Sequence, residues 1–226
     1  MKFVLRFIFL FSLCVGSLTA SGTKTIIAPD TLTAADVFIS LPAGVLEILT
    51  HETRRDLVDY ARNDSTPALL NSLGGRSRIL ELTPNFLEVK LTEASSMQIK
   101  VLTATGKKSP VIMTIYSVGN ETTAGDSDVQ FFDSSLKPLA VDKFLRQPEI
   151  RDFFQIPADA DTSYKTLADM IPFPAYTFTA SPDSDEVTAR LTIGAAVSLD
   201  DKKILDRYLL PGVKYLWNGK RLQPVK

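Results

Sequence analysis

Between Asn85 and Val118 apolar and polar residues alternate in successive runs. Leu87, Val89 and Leu91 are interleaved with Glu88, Lys90 and Thr92, and Met97, Ile99 and Val101 with Gln98 and Lys100. Val111, Met113 and Ile115 recur at every second position after the turn residues 106–110. Neighbouring side chains on a strand point to opposite faces, so this period of two, interrupted by polar turns, predicts an antiparallel meander with one buried and one wet face. Runs at 78–82 and 128–132 extend it, with connections short enough for neighbours in sequence to pair.

Helical spacing precedes the meander. Thr33 predicts an N-cap for a helix over 34–41, ended by Pro42; 42–49 reads as a second short helix with Val45, Ile48 and Leu49 on one side; and Thr50 caps a third over 51–62, carrying Leu57, Val58 and Ala61. Past the meander the pattern predicts a helix over 141–154, one turn at 164–170, and strands at 175–180, 187–193 and 196–199. Asp200 then caps a helix over 201–210 that Pro211-Gly212 stops. The chain closes on a hairpin, 214–217 with 220–223, around Asn218-Gly219 as a type I′ turn, from which Trp217 enters the core.

The fold class is therefore α+β: N-terminal helical segments, an antiparallel meander sheet, a helix, and a second set of antiparallel strands ending in the hairpin. In domain terms, residues 1–20 read as a signal peptide, 21–32 as a linker and 33–226 as the globular region. One continuous sheet and two halves, 33–140 and 141–226, are both compatible with the pattern.

Composition narrows the function classes. The 226 residues are 45% hydrophobic and 23% charged, which is globular and excludes a disordered chain. There are 25 Lys and Arg against 26 Asp and Glu, so no basic excess offers itself to phosphates or an anionic membrane surface, and nucleic acid is not an expected partner. Lys2 and Arg6, the apolar stretch 7–15 and Leu18-Thr19-Ala20 have the make-up of a secretory signal cleaved after Ala20. That stretch is too short to span a bilayer, so no transmembrane span is expected in the mature chain. Cys14, the one cysteine, follows Leu13, which is bulkier than a lipobox allows and disfavours lipidation. It departs with the signal, so no mature thiolate is available for catalysis or metal.

Candidate chemistry is sparse. His51, the one histidine, starts a charged helix and reads as a surface residue; with Arg55 four residues on, it does not form H-E-x-x-H. The pairs Asp126/Asp128, Asp159/Asp161 and Asp183/Asp185 do not continue into the calcium-loop pattern and read as turn and cap residues. Ser77 follows Gly75 but has Ile79 where a nucleophile elbow needs glycine. No catalytic residue, cofactor or metal is assigned. Phe131-Phe132 and Phe153-Phe154 read as core packing, while Phe173 and Tyr176 beside two prolines could contribute to an exposed patch.

Asp36-Val37-Phe38-Ile39-Ser40-Leu41-Pro42, Arg55-Asp56-Leu57-Val58-Asp59-Tyr60, Gly74-Gly75, Leu91-Thr92-Glu93-Ala94-Ser95-Ser96-Met97 and Leu216-Trp217-Asn218-Gly219 together resemble an uncharacterised family of exported proteins from Bacteroidales, domain of unknown function 3256. The resemblance implies a periplasmic or outer-membrane-associated location and no particular chemistry. It also implies the glycan pattern of that group, an Asp, then Ser or Thr, then an aliphatic residue or Thr. Asp30-Thr31-Leu32 and Asp64-Ser65-Thr66 fit it, making Thr31 and Ser65 candidate O-glycosylation sites. The reading that fits best is a non-catalytic exported protein that binds an envelope protein or component. An acid-dependent, carbohydrate-acting hydrolase and a carrier of a small apolar ligand are the alternatives; the first requires two carboxylates in one cleft and the second a cavity lined by Phe and Leu.

Overall fold

The alternating runs fold as strands paired in chain order. The computed structural model describes residues 32–106, 109–119, 125–194 and 197–225. In it, β1 (Leu69–Leu70), β2 (Arg76–Leu82), β3 (Phe86–Thr92), β4 (Ser95–Leu102), β5 (Val111–Val118), β6 (Asp126–Phe132) and β7 (Pro138–Leu139) form an antiparallel meander of seven strands. Leu87 stands opposite Ile99 and Val89 opposite Met97, so the apolar positions share a face. A second antiparallel sheet has four strands in the order β11-β10-β9-β8: β8 (Ala175–Ala180), β9 (Glu186–Thr192), β10 (Val213–Trp217) and β11 (Leu222–Val225). The fold class is α+β, as the pattern predicts.

Two helices seal one face of the meander. In α1 (Ala34–Ser40), Asp36 N–H donates to Thr33 Oγ1 at 3.2 Å and Thr33 N–H to Asp36 Oδ2 at 3.1 Å, a reciprocal cap that fixes where the helix starts. α1 packs on β3 and β4, burying Val37 and Phe38, each worth about 1.5–3 kcal/mol of transfer free energy. In α2 (His51–Arg62), capped by Thr50, Arg54 is turned inward; its Nη1 donates to Phe38 O at 3.0 Å and Leu41 O at 2.7 Å, satisfying carbonyls at the end of α1. Leu87, Val89, Leu91, Met97, Ile99 and Val101 are all buried beneath this layer.

The other face is not wet. Phe86, Leu102, Met113, Ile115, Val129 and Phe131 pack against Phe178, Val187, Tyr215 and Trp217 of the second sheet, so the meander is covered on both sides. Gln98 and Lys100, whose alternation suggested solvent, lie 8% and 1% exposed in this interface. Lys100 Nζ donates to Ser181 O at 2.9 Å and Pro182 O at 3.2 Å and sits 5.7 Å from the Phe86 ring centre; burial lowers its pKa, against the opposing pull of Asp185 and Asp183. Along β8, the N–H groups of Tyr176, Phe178 and Ala180 donate to Asp126 Oδ1, Ser127 Oγ and Gln98 Oε1 of the meander at 3.3, 3.1 and 2.9 Å.

Other local expectations also need correcting. Residues 42–49 form turns rather than a helix: Val45 N–H donates to Pro42 O at 2.9 Å, and Gly44 sits where a helix would lose about 1 kcal/mol relative to alanine. The segment 141–154 holds two 3₁₀ turns, Val141–Lys143 and Ile150–Phe153, because Pro148 has no N–H and biases the residue before it toward extended backbone. Between them Leu145 bridges to Leu222, whose N–H donates to Phe144 O at 2.7 Å. No strand occupies 197–199: Ser198 caps α4 (Leu199–Leu205), accepting from Asp201 N–H at 3.1 Å, while residues 195 and 196 lie outside the described ones. α3 (Tyr164–Asp169) matches its expected turn of helix. The closing hairpin forms, but Trp217 pairs with Leu222 across a four-residue connection rather than a type I′ turn. Asn218 Oδ1 accepts from Lys220 and Arg221 N–H at 3.0 and 2.9 Å. Only Gly219 has a left-handed φ there, +85°, with no room for a Cβ against Thr105.

Candidate functional site

The helix layer stops short of the far side of the meander. α1 packs on β3 and β4 and α2 on β1 and β2, while Ile112 of β5 and Phe132 of β6 join the same buried cluster and the 42–49 turns lie alongside Tyr116 of β5. A groove of ≈ 510 Å³ runs there between Val45, Leu46, Glu47 and Ile48 on one side and Ser72, Leu73, Thr92 and Tyr116 on the other. Past Val45 and Tyr116 it meets a smaller pit of ≈ 180 Å³ floored by Met97 and Thr114 and closed by Asp128 and Gln130.

The wall that carries Leu73 is held rigidly. Asn71, 9% exposed, donates from Nδ2 to Ser77 Oγ at 3.1 Å and to Leu91 O at 3.0 Å, while its Oδ1 accepts from Leu73 and Gly75 N–H at 3.1 and 3.0 Å. Its own N–H donates to Gly75 O at 2.9 Å, closing a loop that Gly74 permits with φ +79°. Ser72 N–H donates to Ile48 O at 3.0 Å, tying this loop to the 42–49 turns. The result presents Leu73 at 75% exposure, with Tyr116 at 37% across the groove.

The charge in the groove has one sign. Glu47 and Asp128 are its acids, and among the described residues no Lys, Arg or His lines either part. Asp128 lies opposite Tyr116 in the β5–β6 register, and its Oδ2 accepts from Gln130 Nε2 at 2.6 Å.

Two further clefts flank the second sheet. One of ≈ 490 Å³ is lined by Leu210, Val213, Val225 and the Arg146–Asp152 ion pair at 2.8 Å; another of ≈ 500 Å³ contains Arg190, Lys202 and Asp206. The described lining of each of these four clefts holds one carboxylate and no phenylalanine, the continuous groove and pit together carrying Glu47 and Asp128. Burial raises the Glu88 carboxyl, but that group sits opposite Gln98, with which it hydrogen-bonds, rather than in a cleft.

The residues singled out from the sequence are scattered. His51 is exposed at the start of α2. Asp126 accepts from Ser127 and Tyr176 N–H, Asp161 from the Tyr208 hydroxyl at 3.4 Å, and Asp183 lies in the β8–β9 turn; no group of three acids, histidines or cysteines is placed to hold a metal among the described residues. Ser77 is buried, its hydroxyl donating to Leu91 O at 2.7 Å. Ser65 is exposed just after α2, next to Asp64 with φ +52°; Cys14, the cleavage position after Ala20, and Thr31 lie outside the described residues. Phe131, Phe132 and Phe153 are core residues, Tyr176 stacks on Phe153 with ring centres 5.5 Å apart, and Phe173 is 79% exposed. No described helix is long and apolar enough to cross a membrane. The sequence reading missed Asn71, Leu73 and Tyr116; the available signal was an Asn three residues before a Gly-Gly pair, with a leucine held in the turn between them.

Comparison with known proteins adds family and fold. A family model described as Protein of unknown function (DUF3256) matches residues 28–222. A solved structure described as that of a domain of an uncharacterized protein from Porphyromonas gingivalis W83 is similar at 26% identity with a TM-score of 0.71, over 84% of this chain and 96% of that one. No curated protein matches.

Proposed function

The chain belongs to the family described as Protein of unknown function (DUF3256), and from that premise we propose that it is a non-catalytic, exported envelope protein that holds another protein in the groove between the 42–49 turns and β5. The observation that carries this reading is Leu73, 75% exposed on a loop whose backbone Asn71 fixes with buried and part-buried hydrogen bonds. A loop whose backbone is set before contact need not be ordered on binding, which spares part of the entropic cost of docking. The sheet edges support a groove rather than strand addition as the mode of contact. β1 and β7 are two residues long, the outer N–H groups of β8 are capped by side chains, and β11 carries Pro224 beside the Leu222–Phe144 hydrogen bond.

The test is a photo-crosslinking residue placed at position 73 in native cells, with position 199, equally exposed on α4, as control. A discrete adduct from position 73 that disappears with Tyr116→Ala is expected. No adduct, or the same adduct from position 199, overturns the reading.

A further inference from the structure

We propose that the segment received by this groove is cationic as well as apolar: an aliphatic or aromatic anchor lies beside Leu73 and Ile48, and a neighbouring Arg or Lys enters the pit at Asp128. This rests on the docking reading above and specifies the partner's chemistry. The pit, ≈ 180 Å³, has room for one long side chain, and its apolar parts, Val45 and Met97, suit a methylene stem. At its end Asp128 and Tyr116 are cross-strand partners, so a cation that reaches the carboxylate comes beside an exposed ring, whose face attracts cations. Gln130 holds Asp128 Oδ2 at 2.6 Å, which orients the carboxylate before a ligand arrives. The second acid, Glu47, lines the wider part of the groove, and among the described residues no Lys or Arg lines either part to neutralise the two. Arg76, close by in sequence to the Leu73 loop, is turned away, its Nη1 donating to Ala68 O at 2.7 Å. A guanidinium matches this pair better than an ammonium, because it stacks on an aromatic face while bonding a carboxylate in its plane.

The experiment is selection of a random-peptide display library on the purified protein, with the Leu73→Asp variant as counter-target, followed by binding measurements on a synthesised copy of the most enriched peptide. Enriched peptides are expected to pair Arg or Lys with a bulky apolar residue. Asp128→Asn is expected to weaken the peptide up to roughly fivefold, the upper end for an exposed ion pair, and to flatten its salt dependence. Both substituted residues are at the surface, and an unchanged circular dichroism spectrum checks that each variant folds. Enriched peptides without basic residues, or a peptide that binds Asp128→Asn undiminished, overturn the cationic assignment and leave the docking groove standing. A library that yields nothing preferring the native protein to Leu73→Asp overturns both.

Discussion

Tyr215 is fully buried between the sheets, and its hydroxyl has no hydrogen-bond partner among the described residues. Burial raises its pKa from 10.0 to about 12, with the Asp152 charge adding to the shift and Arg146 opposing it. A raised folded-state pKa contributes stability that is complete below pH 10, where the unfolded tyrosine begins to ionise, and is lost as the pH rises through about 12. Tyr215→Phe removes an unsatisfied buried oxygen while keeping the ring, and is expected to stabilise the protein by about 1–3 kcal/mol at neutral pH and to flatten the alkaline loss. Urea titrations at pH 7 and between pH 9 and 11 measure both effects, and destabilisation by the phenylalanine would mean that the hydroxyl is bonded after all. At this scale the sequence was readable where a residue's nature decides its place: Leu87, Ile99 and Trp217 are inside and His51 is outside. It was unreadable for Lys100, Gln98 and Arg54, polar side chains whose partners are backbone groups distant in the chain, and for Leu73, whose exposure depends on Asn71.

Elements were legible where local chemistry sets their limits. Thr33 and Thr50 mark the starts of α1 and α2, and the alternation over 111–118 and 175–180 gives β5 and β8 their observed bounds. The layers were not legible, because a polar residue on one face of a strand has the same pattern whether it meets water or the edge of another sheet. At β8 the meander's side chains do what a neighbouring strand would do, accepting from the N–H groups of Tyr176, Phe178 and Ala180. Gln98 is the buried member of this row, so Gln98→Met, which roughly keeps the volume, leaves the Ala180 N–H without an acceptor. An unpaired buried donor costs about 1–3 kcal/mol. Loss of that size in urea unfolding, with faster amide exchange at Ala180, is the expected outcome; a neutral substitution would mean that the edge of β8 is reached by solvent.

At the scale of the whole molecule, the two sheets share an interior. Phe131 and Met113 of the meander belong to the same buried cluster as Phe178, Val187 and Tyr215 of the second sheet. Polar anchors span the same interface: Trp217 Nε1 donates to Thr103 O at 2.7 Å, Lys100 reaches the Ser181 and Pro182 carbonyls, and Thr192 Oγ1 donates to Gly125 O at 2.6 Å. Separating the sheets would expose the apolar side of both to water and exchange these hydrogen bonds for solvent ones, a loss that neither sheet alone offsets. The two should therefore unfold together. Trp217, the one tryptophan, reports on their contact, whereas far-ultraviolet circular dichroism reports on the secondary structure of the whole chain. In a denaturant titration the two signals are expected to share one midpoint and one slope. A tryptophan transition that runs ahead of the dichroism would show halves that fold independently, and would leave the groove on the meander a property of residues 33–140 alone.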